Sequence, residues 1–188
     1  MLVLDNYDSF TWNLVQALEA SGARCDVRRS DAIGLDEIRA LAPARIVLSP
    51  GPFGPERAGV CREVVREVSR EIPVLGVCLG MQVIAAVAGA RVEPSGHPVH
   101  GKTAPVFHRG AGVLAGMPNP FQAARYHSLH VVPHHLPETL EVTAETEDGV
   151  IMAVRLRGTL AEGVLFHPES CLTEAAEILF ANFLRHVE

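Results

Sequence analysis

A short apolar run, Ile72-Pro73-Val74-Leu75-Gly76-Val77, breaks without a linker into Cys78-Leu79-Gly80, and a helical pattern follows at once through residues 81–88. With no loop between them, the chain must turn from strand to helix about a single residue, and that residue is a cysteine. Glycines at i−2 and i+2 remove the side chains that so tight a turn would crowd. The pattern is a strand–nucleophile–helix elbow with a thiol at its apex. The helix N-terminus behind Cys78 is expected to lower the thiol pKa and favour the thiolate.

The segments before the elbow alternate in the same way. Strands are expected at Leu2-Val3-Leu4-Asp5, Cys25-Asp26-Val27-Arg28 and Arg45-Ile46-Val47-Leu48-Ser49. A helix capped by Ser9 is expected to carry Phe10, Leu14, Val15 and Leu18 on one face and to end at Gly22. A short helix is expected over 35–41 and a longer one over 58–71, with a valine stripe inside and a solvated Arg/Glu face outside. Alternation of this kind implies a parallel sheet covered on both faces. After Gly89 the pattern changes to strands at 91–93, 104–107, 140–144, 150–154 and 163–166, separated by turn residues. Thr173 is positioned to cap a last helix with Ala176, Leu179, Phe180, Phe183 and Leu184 on its apolar side. The expected fold is α/β: three layers, a mostly parallel flavodoxin-like sheet, and an antiparallel extension.

At 188 residues, without repeat, linker or low-complexity segment, the chain is expected to be one domain over 1–188. A net charge of −6 argues against a nucleic-acid partner reached through a basic surface. No apolar run approaches membrane-spanning length and no signal-peptide pattern is visible, so no membrane and a cytoplasmic location are expected. The four cysteines show no CxxC spacing. Cys25, Cys61 and Cys171 are expected to be small core residues. Among the nine histidines, His127 and His130 are three apart and His134 and His135 adjoin. No carboxylate or cysteine set completes a familiar ligand spacing, so no metal site is expected and most histidines are read as surface or loop residues.

Far downstream, Phe166-His167-Pro168-Glu169 offers an imidazole base and a carboxylate to orient it, and with Cys78 these are the three parts of an activated-thiol site. In a doubly wound sheet, sites form at the carboxyl ends of the strands. Asp5-Asn6-Tyr7-Asp8-Ser9-Phe10, Ser49-Pro50-Gly51-Pro52, the Cys78 elbow and His167 all fall there.

These residues resemble the class I glutamine amidotransferases of the triad type, and within them the small subunits of anthranilate synthase or aminodeoxychorismate synthase. The markers run through the whole chain: 5–11, 49–52, Gly76-Val77-Cys78-Leu79-Gly80, His100-Gly101-Lys102, Arg125-Tyr126-His127-Ser128-Leu129 and Phe166-His167-Pro168-Glu169-Ser170. The resemblance implies that Cys78 attacks the glutamine side-chain amide, that His167 is the base and that Glu169 orients it. By the same resemblance, backbone N–H groups of Leu79 and Gly51 form the oxyanion hole, Gln82 binds the substrate amino acid, and the Ser128–Leu129 backbone holds its backbone groups.

The resemblance further implies a heteromeric complex in which ammonia passes through a channel to a chorismate-binding synthase subunit. No cofactor is expected in this chain; the partner would be the Mg-dependent one. Residues 5–11 and the 100–102 loop match interface or coupling elements of such pairs. Two positions depart from the family pattern: Met81 stands where a histidine usually follows Leu-Gly, and Phe53 stands where a small residue usually closes the Pro-Gly-Pro turn. The leading expectation is an anthranilate synthase amidotransferase component. The alternatives are the aminodeoxychorismate component, a component for another chorismate-derived product, and a non-catalytic partner subunit motivated by Met81 and Phe53. A cysteine peptidase built on the same elbow is disfavoured by Gln82 and Ser128-Leu129.

Overall fold

The computed structural model describes residues 1–185. Among the described residues the strands are β1 (Leu2–Asp5), β2 (Asp26–Arg29), β3 (Ile46–Leu48), β4 (Val74–Val77), β5 (Val92–His108), β6 (Phe121–Val131), β7 (Leu140–Thr146), β8 (Ile151–Leu156) and β9 (Ala161–Val164). The α-helices are α1 (Thr11–Ala20), α2 (Leu35–Leu41), α3 (Cys61–Glu67), α4 (Leu79–Ala88) and α5 (Ala176–Arg185). All nine strands form one sheet in the order β2-β1-β3-β4-β9-β8-β7-β5-β6. From β2 to β9 the neighbours are parallel, and from β9 to β6 they are antiparallel.

The parallel part has the flavodoxin-like order, with β9 in the fifth place. Strands β3 and β4 are short unbroken apolar runs, because helices cover both faces there and leave no polar side. Helix α4 lies across β3, β4, β8 and β9 beside α3, and α1 packs beside α5. An Arg39–Glu67 ion pair of 3.1 Å ties α2 to α3. Strand order reverses between β1 and β3, so right-handed crossovers send α1 to one face and α2 and α3 to the other. The three expected layers follow from that reversal.

Several local expectations are corrected. Ser9 is exposed and does not cap α1. The Asp8 carboxylate accepts from the Phe10 N–H at 2.8 Å, and the Asp5 carboxylate accepts from the Thr11 hydroxyl at 2.9 Å. Phe10 is half-buried and turns toward Tyr126 and His167 rather than joining the core face of α1. The helix expected over 58–71 is only Cys61–Glu67. Its start is delayed at Gly59 (φ +51°), which lies so close to the Ser30 backbone that a side chain there would collide with it. Thr173 lies ahead of α5 rather than capping it. Cys171 is exposed, whereas Cys61 is buried and Cys25 half-buried.

The segments expected at 91–93 and 104–107 are two ends of the single strand β5. Its Pro- and Gly-bearing middle pairs only with β6, with register shifts between Pro94 and Val99 and between His100 and Lys102. Only Val106–His108 pair with β7, so the other edge of the prolines is unpaired and their missing N–H groups cost no ladder bond there. Strand β6 is absent from the sequence expectations altogether.

Candidate active site

Cys78 sits between β4 and α4 with φ +53° and ψ −101°, a conformation that a side-chain-bearing residue holds at a cost of about 1–3 kcal/mol. The surrounding glycines explain how the fold holds it there. A Cβ at Gly76 would lie 2.4 Å from the Gly80 carbonyl carbon, and one at Gly80 would lie 2.4 Å from the Leu48 carbonyl oxygen. Strand, elbow and helix therefore approach as closely as bare backbone allows. Gly163 on β9 plays the same part, with no local signal in the sequence to mark it: a Cβ there would lie 2.8 Å from the Met81 Cα.

The strain at the apex is testable by itself. Cys78→Gly relieves the positive φ and Cys78→Ala does not. The glycine variant is expected to melt about 2–8 °C above the alanine variant, reflecting about 1–2 kcal/mol. Equal melting temperatures would mean that the elbow is unstrained.

His167 follows β9 in a loop locked to β6. Its N–H donates to the Ala124 carbonyl at 3.0 Å, the Thr173 hydroxyl donates to the His167 carbonyl at 2.7 Å, and the Ala124 N–H donates to the Thr173 oxygen at 3.0 Å. The ring lies between Tyr126 and Phe10, with centroids at 5.2 and 5.3 Å. Nδ1 meets Glu169 Oε1 at 2.6 Å, and the two side chains are 2% and 0% exposed. Burial alone would push the imidazole pKa down. Cys78 and Glu169 act the other way and outweigh it, so His167 stands above the usual histidine value. The raised value favours a proton on His167. Nε2 is buried without a hydrogen-bond partner, and the thiol donates instead to the Tyr126 carbonyl at 3.8 Å. Cys78 is within electrostatic reach of the imidazole without closing a bond on it, a slack common in ligand-free sites.

Gly51 and Leu79 are brought together. A Cβ on Gly51 would fall 2.4 Å from Leu79 Cδ2 and 2.8 Å from Asn6 Cβ. As the first residue of α4, Leu79 has an N–H without an intrahelical partner. The loop bearing Gly51 is fastened from β1: the Asn6 N–H donates to Ser49 Oγ at 2.8 Å and the Asn6 amide donates to the Ser49 carbonyl at 3.0 Å. The Gly51 loop is thereby held against the start of α4.

One cavity of about 370 Å³ is lined by Gly51, Cys78, Gln82, Ser128, Leu129 and His167 together with residues 8–10. Glu169 stands behind His167, and Leu79 behind Gly51. Gln82 is buried, and its amide donates to the Leu129 carbonyl at 3.5 Å. His100 reaches Ser128 Oγ at 3.2 Å from the bulged part of β5. Of the two departures from the family pattern, Met81 is fully buried and belongs to the core above Gly163 rather than to the cavity. Phe53 does line the cavity, and the Arg57 guanidinium lies 3.9 Å from its ring centroid.

The remaining thiols and histidines are accounted for differently. Burial pushes the Cys61 thiol up to about 12, so it is not a nucleophile. His127, expected at the surface with most of its kind, is 3% exposed and bonded to Arg125. Among the described residues no group of three metal-ligating side chains converges, and no helix is long and apolar enough to cross a membrane.

Comparison with known proteins agrees with this geometry. The family model "Glutamine amidotransferase class-I" matches residues 2–187. Aminodeoxychorismate synthase component 2 of Klebsiella aerogenes is 51% identical over 184 residues, covering 98% of both chains. Anthranilate synthase component 2 of Pseudomonas aeruginosa is 50% identical over 190 residues, covering 98% of this chain and 94% of that one. A Bacillus subtilis protein named aminodeoxychorismate/anthranilate synthase component 2 is 45% identical over 184 residues, covering 98% of this chain and 95% of its own. The crystal structure of a putative GMP synthase component from Thermoplasma acidophilum shares the fold, with a TM-score of 0.84 at 23% identity over 98% of this chain and 91% of that one.

Proposed function

The chain belongs to the class-I glutamine amidotransferases, and from that premise we propose that it hydrolyses glutamine to glutamate and hands the ammonia to a chorismate-binding synthase subunit. The observation that carries this reading is the convergence of Cys78, Gly51 and His167 on one cavity, with His167 paired to the buried Glu169. His167 takes the Cys78 thiol proton as the sulfur attacks the side-chain amide carbon, and the carbonyl electron pair moves to an oxyanion that the Leu79 and Gly51 N–H groups are assigned to hold. The carbon–nitrogen bond then breaks as His167 gives its proton to the nitrogen, and ammonia leaves. His167 next takes a proton from water attacking the thioester; the carbon–sulfur bond breaks, that proton passes to the sulfur to restore the thiol, and glutamate departs. Nothing in this sequence of steps calls for a cofactor in this chain, and a magnesium ion would serve the partner's chemistry.

The partner reading is supported by the relatives, which are named as second components of synthases. It is also supported by the rim of the cavity. Tyr7 and Trp12, 52% and 59% exposed, flank the segment that lines it. Tyr7 is held rather than loose: its hydroxyl donates to Asp31 at 2.9 Å and the Arg29 guanidinium lies 4.3 Å from its ring centroid. Rigid exposed aromatics beside a cavity mouth suit docking of a second protein chain. The complex is assigned to the cytoplasm, where Cys78 stays reduced.

The anthranilate partner is the leading assignment. The aminodeoxychorismate partner stands beside it, because relatives of the two names are 50% and 51% identical and one relative carries both names. The chain is to be mixed with each type of synthase partner in turn, and glutamine-dependent product followed. A rise with only one of the two names the partner, and a rise with both makes the chain shared. No rise with either, while both synthases still use ammonia, overturns the chorismate assignment.

A further inference from the structure

The stretch of β6 assigned to hold the backbone groups of glutamine rests on a buried imidazole that the catalytic chemistry does not use. His127 is on β6, two residues before Leu129 and one before Ser128. Its Nδ1 lies 3.1 Å from the Leu129 carbonyl oxygen. On its other side, Arg125 Nε lies 3.1 Å from Nε2. A guanidinium can only donate, so Nε2 must be the acceptor, and the proton of the neutral ring must be on Nδ1, where it donates to Leu129. Arg125 therefore fixes the tautomer, and the tautomer fixes the bond to the Leu129 carbonyl. Burial first, and the neighbouring Arg125 second, push His127 down to about 4, so the ring stays neutral at working pH. The Leu129 carbonyl also accepts from Gln82 at 3.5 Å, which joins the post to the substrate residue on α4.

We infer that the buried Arg125–His127 pair is a positioning device for glutamine binding: it holds the Ser128–Leu129 backbone at the geometry the substrate needs, and takes no part in thiol activation. This rests on the reading that the cavity binds glutamine. His127 touches neither Cys78 nor the reacting amide; its effect passes through the Leu129 carbonyl and Gln82.

The test is the kinetics of labelling of Cys78 in the intact chain by a glutamine-like diazoketone, with iodoacetamide as a control that needs no glutamine pocket. The concentration dependence separates binding of the diazoketone from its reaction with the thiol. His127→Leu removes the donor. His127→Asn keeps a donor near the Nδ1 position. Expected is a loss of diazoketone affinity of about tenfold in the leucine variant, the scale of one lost buried hydrogen bond, with an unchanged limiting rate and unchanged iodoacetamide labelling. The asparagine variant should recover affinity to within about threefold. If the leucine variant does not fold, Arg125→Met reads the same device from its far side, because the ring is then free to take the other tautomer. A weakened affinity with normal iodoacetamide labelling supports the inference there as well. Unchanged affinity in the variants that fold, or parallel loss of both labels, overturns it. Wild-type protein that takes up iodoacetamide but never the diazoketone overturns the glutamine reading itself, and this inference with it.

Discussion

A complex carrying Cys78→Ala is expected to form product from ammonium salts at the unmodified rate and none above background from glutamine. The reasoning is positional. Cys78 is the thiol that shares the cavity with His167. Cys61 is closed off by burial that pushes it up to about 12, and Cys25 and Cys171 lie outside the cavity's lining. Alanine keeps the backbone at the elbow under the same steric constraint and removes only the sulfur. Docking of a partner should therefore survive, while the glutamine-dependent rate should fall by on the order of 10⁴ or more, as when a covalent nucleophile is lost. Ammonia supplied from solution bypasses this chain. A glutamine-dependent rate within tenfold of wild type would remove Cys78 from the chemistry. Equal loss with both nitrogen sources would make the residue a structural element of the assembly rather than the nucleophile.

The parallel half of the fold and the triad are legible because each is written in a contiguous signal. Buried parallel strands are apolar runs, and the elbow is a cysteine between two glycines. The β5–β6 ribbon is harder. Pro94, Pro98 and Gly101 read as a loop, yet they are tolerated where only one edge of β5 is paired. Strand β6 buries Arg125 and His127 beside Ala123 and Ala124, so apolar residues do not alternate along it and the period-two signal is lost. That burial is tolerated because the two polar side chains satisfy each other and Leu129, which no local pattern reveals. Met81 is the reverse case, a position outside the triad where methionine suits apolar space. Its departure from the family pattern draws attention to the chemistry, but α4 turns that position into the sheet, onto Gly163. The capping of α1 fails for a related reason: Asp5 reads as a strand end and Ser9 as the cap, whereas the Asp8 carboxylate takes the Phe10 N–H and the Asp5 carboxylate takes the Thr11 hydroxyl.

Gly80→Ala is expected to have the largest effect on stability, and it tests whether fold and site are one construction. The added methyl would lie 2.4 Å from the Leu48 carbonyl oxygen and 2.8 Å from Leu48 Cβ. Neither atom can swing away, since the carbonyl and the Cα–Cβ bond are fixed by β3. Relief requires α4 to move off the sheet, toward ordinary contact near 3.5 Å or more. Overpacking of this kind costs about 2–4 kcal/mol, or about 4–16 °C in melting temperature for a chain of this size. Gly96→Ala is the control, because nothing lies within 4 Å of a Cβ there, and it should stay within about 0.5 kcal/mol of wild type. The same displacement acts on the chemistry. The chain leaves β3 at Leu48 and passes through Ser49 to Gly51, and α4 begins at Leu79, so the two proposed oxyanion donors are carried by the two elements that the methyl forces apart. At a temperature where Gly80→Ala is still folded, diazoketone labelling of Cys78 should fall by more than tenfold, because loss of one such donor costs about 10²–10³ in rate. A variant that melts with wild type would show that α4 does not lie against β3 as closely as described. A variant that melts early but labels normally would separate the packing of the elbow from its chemistry, and the oxyanion assignment of Leu79 and Gly51 would fall.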